Sequence, residues 1–167
     1  IYYDKLFGAV IENFKLKHSS KLPKGGILFS ILCFSPEPII LTARTLEPDT
    51  HIIFTTNNQS EGNDYLVRYL ESNYEMVYLS DENFNTMYKA LKEQLVLNPS
   101  SQITLDITGG KKSMVASAAI FGKDYGCKIV YVDFEEYIKD LRKPMPGSEI
   151  LNIVYNPFEN QPEIFLK

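Results

Sequence analysis

From Ile1 to Lys17 the apolar residues Ile1, Leu6, Val10, Ile11, Phe14 and Leu16 recur at roughly helical spacing with charges between them, which predicts an amphipathic helix. The run KLPKGG breaks it. Downstream the pattern changes character: GILFSIL (26–32), HIIFTT (51–56), YEMVYL (74–79), QITLDIT (102–108), CKIVYVDF (127–134) and SEILNIVY (148–155) are short runs rich in apolar residues that predict strands. Between them lie segments of helical period. One begins near Ser35, a candidate cap with Pro36 at the first position, and ends before Pro48; others carry Tyr65, Leu66, Tyr69 and Leu70, span Phe84 to Leu97, and run from Lys112 to Tyr125. The last is rich in Ala and Ser, which permits close approach to a sheet.

Strands that do not alternate strictly, each followed by a helix, predict an α/β fold with a parallel sheet covered on both faces. Right-handed crossovers then give a Rossmann-like order 3-2-1-4-5, with the final strand at an edge. Residues 1–20 read as an N-terminal helix and linker, and 21–167 as one domain, the expectation for a chain of 167 residues.

In that order the loops after strands 1 and 4, LCFSPEP and DITGGKKS, flank the crevice where doubly wound sheets bind ligands. Two glycines before a helix start let the backbone approach an anion and aim N–H groups at it, while Lys111, Lys112 and Ser113 add charge and a hydroxyl. The alternative is a tight strand-to-helix turn with two solvated lysines. A nucleotide-binding P-loop is excluded by spacing, because the position five before Gly110 is Leu105, inside the strand. Asp133 ends a Walker-B-like strand, and it equally suits a strand-end cap. No Gly-x-Gly-x-x-Gly follows strand 1, which argues against a dinucleotide coenzyme, and no other cofactor is expected.

Charge and cysteine count narrow the partners. A net charge of −4 does not favour duplex nucleic acid or an anionic membrane surface. Cys33 and Cys127 form no metal-binding or disulfide pattern, which indicates a reducing, cytoplasmic setting and no metal. His18 and His51 lie away from the crevice and are expected to be structural. The first residue is Ile1 rather than methionine, so a further segment is expected ahead of it: a membrane helix first, a soluble enzyme domain second.

The run Asp106-Ile107-Thr108-Gly109-Gly110-Lys111-Lys112-Ser113-Met114, the later YVDFEEY, and Leu141-Arg142-Lys143-Pro144 with Pro146-Gly147 resemble the CARF domains of type III CRISPR ancillary proteins, most strongly over 103–150. The resemblance implies a homodimer binding a cyclic oligoadenylate, most often cyclic tetra-adenylate, across its two-fold axis, as the sensor of an attached antiviral effector. A two-fold symmetric ring of phosphates matches a cleft that presents the same loops twice. The resemblance further implies that Thr108, Gly109, Gly110, Lys111, Lys112, Ser113 and Met114 line the phosphates and that Cys33, Phe34 and Ser35 contact the ligand. The family often has threonine where this chain has Lys111, so which lysine faces the phosphates stays open.

Thr55, Thr56, Asn57 and Ser60 suit adenine edges or ribose hydroxyls, or else a polar turn and helix cap. Arg142 and Lys143 suit a lid, or else a solvated basic loop. Some family members cleave their ligand, chemistry that Lys112 and Ser35 could serve, but no general base accompanies them. A sensor is therefore expected rather than an enzyme, the alternatives being such a ring nuclease or a magnesium-dependent phosphate-handling hydrolase or transferase using TGGKKS and Asp133.

Overall fold

The computed structural model describes residues 2–32, 35–56, 60–140 and 143–159. In chain order the elements are α1 (Tyr2–His18), β1 (Ile27–Ile31), α2 (Glu37–Leu46), β2 (Thr50–Thr55), α3 (Ser60–Tyr69), β3 (Glu75–Tyr78), α4 (Phe84–Leu97), β4 (Ile103–Asp106), α5 (Lys112–Asp124), β5 (Lys128–Phe134), β6 (Tyr137–Ile138), β7 (Lys143–Pro144) and β8 (Glu149–Tyr155). The six-stranded sheet has the order β3-β2-β1-β4-β5-β8, as the sequence predicts. Its first five strands are parallel, and β8 runs antiparallel along β5 with an irregularity at Ile129/Val130.

Every residue of β1 is buried, which explains why its apolar run does not alternate. Leu28 and Leu32 pack with Ile53, Val130 and Val132 beneath α1, α2 and the end of α3. On the opposite face Phe29 and Ile31 pack with Ile52, Phe54, Ile103 and Leu105 beneath α4 and α5. Phe29 centres this second layer, edge-on to Phe54 at 5.6 Å and tilted against Phe121 at 6.4 Å. A Cβ at Gly122 would lie 2.8 Å from both Ile129 and Leu105, so α5 sits on the sheet at a distance that only glycine allows there.

β8 forms one edge of the sheet, and an open edge invites pairing with other chains. The end of α1 covers part of it: the Leu151 N–H donates to His18 Nε2 at 3.3 Å, and Lys21 Nζ donates to the Leu151 carbonyl at 3.1 Å. Both histidines are structural, as expected. Burial, with Lys21 and Lys17 nearby, holds His18 below the ordinary imidazole range. His51 is buried and shares a 2.9 Å hydrogen bond with Ser30.

Three details differ from the sequence reading. Helix α2 is capped by Pro36 without a side-chain hydrogen bond, so Ser35 does not cap it. β4 ends at Asp106 rather than at Thr108, because the Asp106 carboxylate bends the chain by accepting from the Thr108 N–H at 3.0 Å. The basic loop after β5 contains a two-stranded ladder, β6–β7, too short to leave a periodic signal. Among the described residues no helix is long and apolar enough to cross a membrane.

Burial pulls the His51 pKa from 6.5 down to about 3. The unfolded chain therefore binds a proton that the folded chain refuses anywhere between those values, and stability falls as pH drops through that window. The limiting slope is roughly 1.4 kcal/mol per pH unit for each such proton. Urea unfolding of the wild type is expected to show a falling midpoint from neutral pH toward acid, with a shallower fall in His51→Asn. An equal slope in the two proteins would refute the assignment.

Candidate functional site

The chain reverses its direction of winding between β1 and β4. These strands are parallel neighbours, with Ser30 opposite Asp106, yet α2 leaves β1 toward one face and α5 leaves β4 toward the other. The two outgoing helices therefore diverge at the carboxyl edge of the sheet, the place where doubly wound sheets usually open a crevice.

The corner after β4 is built from inside outward. Asp106 is fully buried, and its Oδ1 accepts from both the N–H and the hydroxyl of Thr108. The Thr108 hydroxyl oxygen in turn accepts from the Val132 N–H at 2.8 Å, and the Ile107 N–H donates to the Val130 carbonyl at 3.0 Å. The corner is thus fastened to β5 before it turns.

Gly110 then takes φ +106°, and a Cβ there would lie 2.7 Å from Ile31 Cγ2 at the end of β1. Both facts require glycine. Lys111 adopts the extended conformation that precedes a helix and makes no side-chain cap, so the first N–H groups of α5 have no acceptor within the helix. Lys111 and Lys112 are exposed beside them. The N–H groups that open the helix, its positive end and two lysines make this corner suited to an anion.

The structure divides the residues expected to line the site. Gly109 and Gly110 are half-buried at the corner, with Lys111 and Lys112 beyond them. The Thr108 hydroxyl is occupied within the protein. Ser113 is exposed, but its hydroxyl donates to the Glu82 carbonyl, tying α5 to the loop before α4; Ser117 does the same to the Phe84 carbonyl at 2.9 Å. Met114 points into the core with only 2% of its surface exposed.

Ser35 is exposed beside the crevice, Thr55 is buried at the end of β2, and Thr56 is half-buried after it. Lys143 lies in β7, opposite Ile138, in the connection that leaves the carboxyl end of β5. Ser60 opens α3. Cys33, Phe34, Asn57 and Arg142 lie outside the described residues. The Asp133 carboxylate accepts from the N–H of Phe134 at 2.8 Å, which is the strand-end cap.

Sequence reasoning gave Asp106 no task of its own and passed over Thr42. Asp106 Oδ2 and Thr42 Oγ1 are both buried, and neither completes a hydrogen bond of good geometry. The Thr42 hydroxyl nevertheless lies close enough to act on the carboxyl. Burial pushes the Asp106 pKa up, opposed by hydrogen bonds from Thr108 and then from Thr42.

Fold and corner together define a Rossmann-like α/β domain whose switch point carries the glycine corner and the start of α5. No protein-family model matches the chain. It is similar to the CRISPR system endoribonuclease Csm6 of Thermus thermophilus, with 33% identity over 93 residues, 53% of this chain and 20% of that protein. The match thus spans about a fifth of the relative's length. Among solved structures the fold is shared with Can2 from Sulfobacillus thermosulfidooxidans in complex with cyclic tetra-adenylate, with a TM-score of 0.56 and 19% identity over 65% of this chain and 32% of that one. Enterococcus italicus Csm6 bound to cyclic hexa-2′-fluoro-hexa-dAMP gives a TM-score of 0.51 and 17% identity over 68% and 34%. Protein VC1899 from Vibrio cholerae gives 0.54 and 14% over 65% and 30%.

Gly110→Ala is expected to cost about 1–3 kcal/mol, from the left-handed φ and from overlap with Ile31. Because Ile31→Ala removes the overlapping methyl, the double variant should lose less stability than the two single changes summed. Strict additivity in chemical denaturation would show that the corner does not seat on Ile31.

Proposed function

We propose that this chain is a CARF-type sensor domain of a type III CRISPR effector, binding a cyclic oligoadenylate in the crevice between the loops after β1 and β4. The observation that carries the reading is the Gly110 corner: N–H groups and two lysines sit at the switch point of a chain similar to Csm6 and sharing the fold of ring-bound Can2. The ligand is taken to be cyclic tetra-adenylate, and it is held by a pair of chains whose two corners face each other across a two-fold axis. The resulting change in the pair biases an effector carried in the rest of a longer protein, by as much as the ring's affinity differs between the two states.

Three features support this over a phosphate-transferring enzyme. A single corner offers too few donors for a closed ring of phosphates, so the reading pairs it with the same corner of a second chain. Asp133 Oδ1 accepts from the Phe134 N–H, as a strand-end cap does. Farther along the same helices, the outer faces of α4 and the later turns of α5 form an apolar groove of about 930 Å³ that includes Val96, Leu97 and Ile120, with Lys92, Glu93 and Asp124 among its charged residues. Apolar surface flanked by both signs of charge is suited to meeting its own copy, and the reading takes it as part of the pair's contact.

Calorimetry with cyclic tetra-adenylate, cyclic hexa-adenylate and ATP in parallel tests the proposal. The expected result is tight binding of cyclic tetra-adenylate at one ring per two chains, with affinity lowered at least roughly tenfold in Lys112→Ala, the loss of one charge-assisted contact. Binding of ATP with turnover, or no binding of either ring, would contradict it.

A further inference from the structure

Next to the glycine corner, the carboxyl edge of the sheet carries two exposed aromatic side chains that face each other. Phe134 ends β5 and Tyr137 opens β6; their centroids lie 5.8 Å apart, with the planes 23° from parallel. Phe134 is 37% exposed and Tyr137 48%. A single exposed aromatic side chain is ordinary, but two held face to face offer a flat apolar platform with room for a third flat group.

The platform is fixed by the chain around it. The Glu135 N–H donates to the Ser148 carbonyl at 2.9 Å and the Met145 N–H to the Glu136 carbonyl at 2.8 Å, while the Ser148 hydroxyl donates to the Met145 carbonyl at 2.6 Å. The chain bends at Glu135, and Tyr137 then pairs with Pro144 across the β6–β7 ladder. Tyr137 is thereby returned against Phe134.

Strand register sets the platform's place. The Val132 N–H donates to the Thr108 hydroxyl at 2.8 Å, at the base of the glycine corner. Phe134 lies two residues further along β5, about 7 Å beyond Val132, and past the end of β4, whose Asp106 is opposite Val130. The side-chain period of two puts it on the face of Val132, which packs with Leu28 and Leu32 on the α2 side of the sheet. Gly110 seats on Ile31, whose side chain belongs to the α5 side. The aromatic pair and the glycine corner thus border the same stretch of the carboxyl edge from opposite faces.

We propose that Phe134 and Tyr137 form a stacking platform for one adenine of the cyclic oligoadenylate whose phosphates meet the glycine corner; the inference rests on the proposed function for its ligand. Stacking on aromatic side chains is the usual way in which unpaired bases are held, because every base has a π-face. Charge sorts the parts of the nucleotide. Glu135 and Glu136, both exposed, follow Phe134 directly and disfavour a phosphate there, with Lys139 only in the turn beyond β6; Lys111 and Lys112 favour one at the corner. A neutral base suits the aromatic pair, and one ribose is all that separates it from its phosphate.

Titration with cyclic tetra-adenylate tests the platform. Phe134→Leu and Tyr137→Leu are each expected to bind at least roughly tenfold more weakly, the loss of a stacking contact. Tyr137→Phe keeps the aromatic ring and should bind more tightly than Tyr137→Leu. Since no phosphate contact is removed, the slope of log affinity against log salt should match the wild type in all three. In the wild-type complex, which needs no variant to fold, protons of one adenine should show nuclear Overhauser contacts to Phe134 or Tyr137.

Unchanged affinity in folded Phe134→Leu and Tyr137→Leu, or a complex without those contacts, would overturn the proposal. So would a smaller salt slope, which would put a phosphate at the pair. Weaker pairing of the ligand-free chains in sedimentation, with ligand affinity per pair unchanged, would make the aromatic pair a chain-to-chain contact and also overturn it. Failure of the wild type to bind any cyclic oligoadenylate would remove the proposed function and this inference together, whereas wild-type binding with indifferent variants would remove this inference alone.

Discussion

The seating of Gly110 on Ile31 governs the carboxyl edge of this sheet. Ile31 ends the central strand, and its side chain fills the space that any Cβ at position 110 would need. Because the corner after β4 must pass over that methyl group, its path is set by the β1–β4 register, which is itself fixed by Ile27 opposite Ile103 and Ser30 opposite Asp106. The N–H groups that open α5 therefore inherit the rigidity of the sheet. A loop free to wander would spend binding energy on being ordered; this one is ordered beforehand by packing on one side and by Asp106, Thr108 and Val132 on the other.

The charge distribution acts at short range. A chain of net charge −4 has no global attraction for a polyanion, and the residues beside the corner include Asp81 and Glu82 as well as Lys111 and Lys112. Asp81 is held below the ordinary carboxylate range by hydrogen bonds from Thr86 and the Asn83 N–H, so it is ionised at neutral pH. Under the proposed function, selectivity at such an edge comes from directed N–H groups and from shape, to which a compact ring with regularly spaced phosphates answers better than an extended strand does. This is also why the two-fold pairing matters to the proposed function: symmetry doubles the directed donors without making the whole surface basic.

Much of this was legible in the sequence, for identifiable reasons. The sheet order follows from uninterrupted apolar runs such as GILFSIL and from the handedness of crossovers, both of which are local or general constraints. The glycine pair announced a backbone conformation that L-residues avoid, and Gly110 adopts it. What the sequence hid depends on partners distant in the chain. The Thr108 hydroxyl is taken by Asp106 and Val132, the Ser113 hydroxyl by the Glu82 carbonyl, and Met114 by the core beneath α5. A family resemblance carried over position by position treats all three as facing the ligand, because it records position along the chain and not the direction each side chain takes. Asp106 was hidden in the opposite way: an acid ending an apolar strand looks like an exposed cap, and only burial shows that it is enclosed.

Under the proposed function, a cyclic oligoadenylate meets the protein at the glycine corner. Amide NMR spectra recorded while cyclic tetra-adenylate is added to the isotope-labelled chain would locate the contact residue by residue. The largest shifts are predicted at Gly109, Gly110, Lys111 and Lys112, with smaller ones at the start of α2. Shifts confined to β3, to the start of α1 or to the amino edge of the sheet, with the glycine corner unmoved, would contradict it.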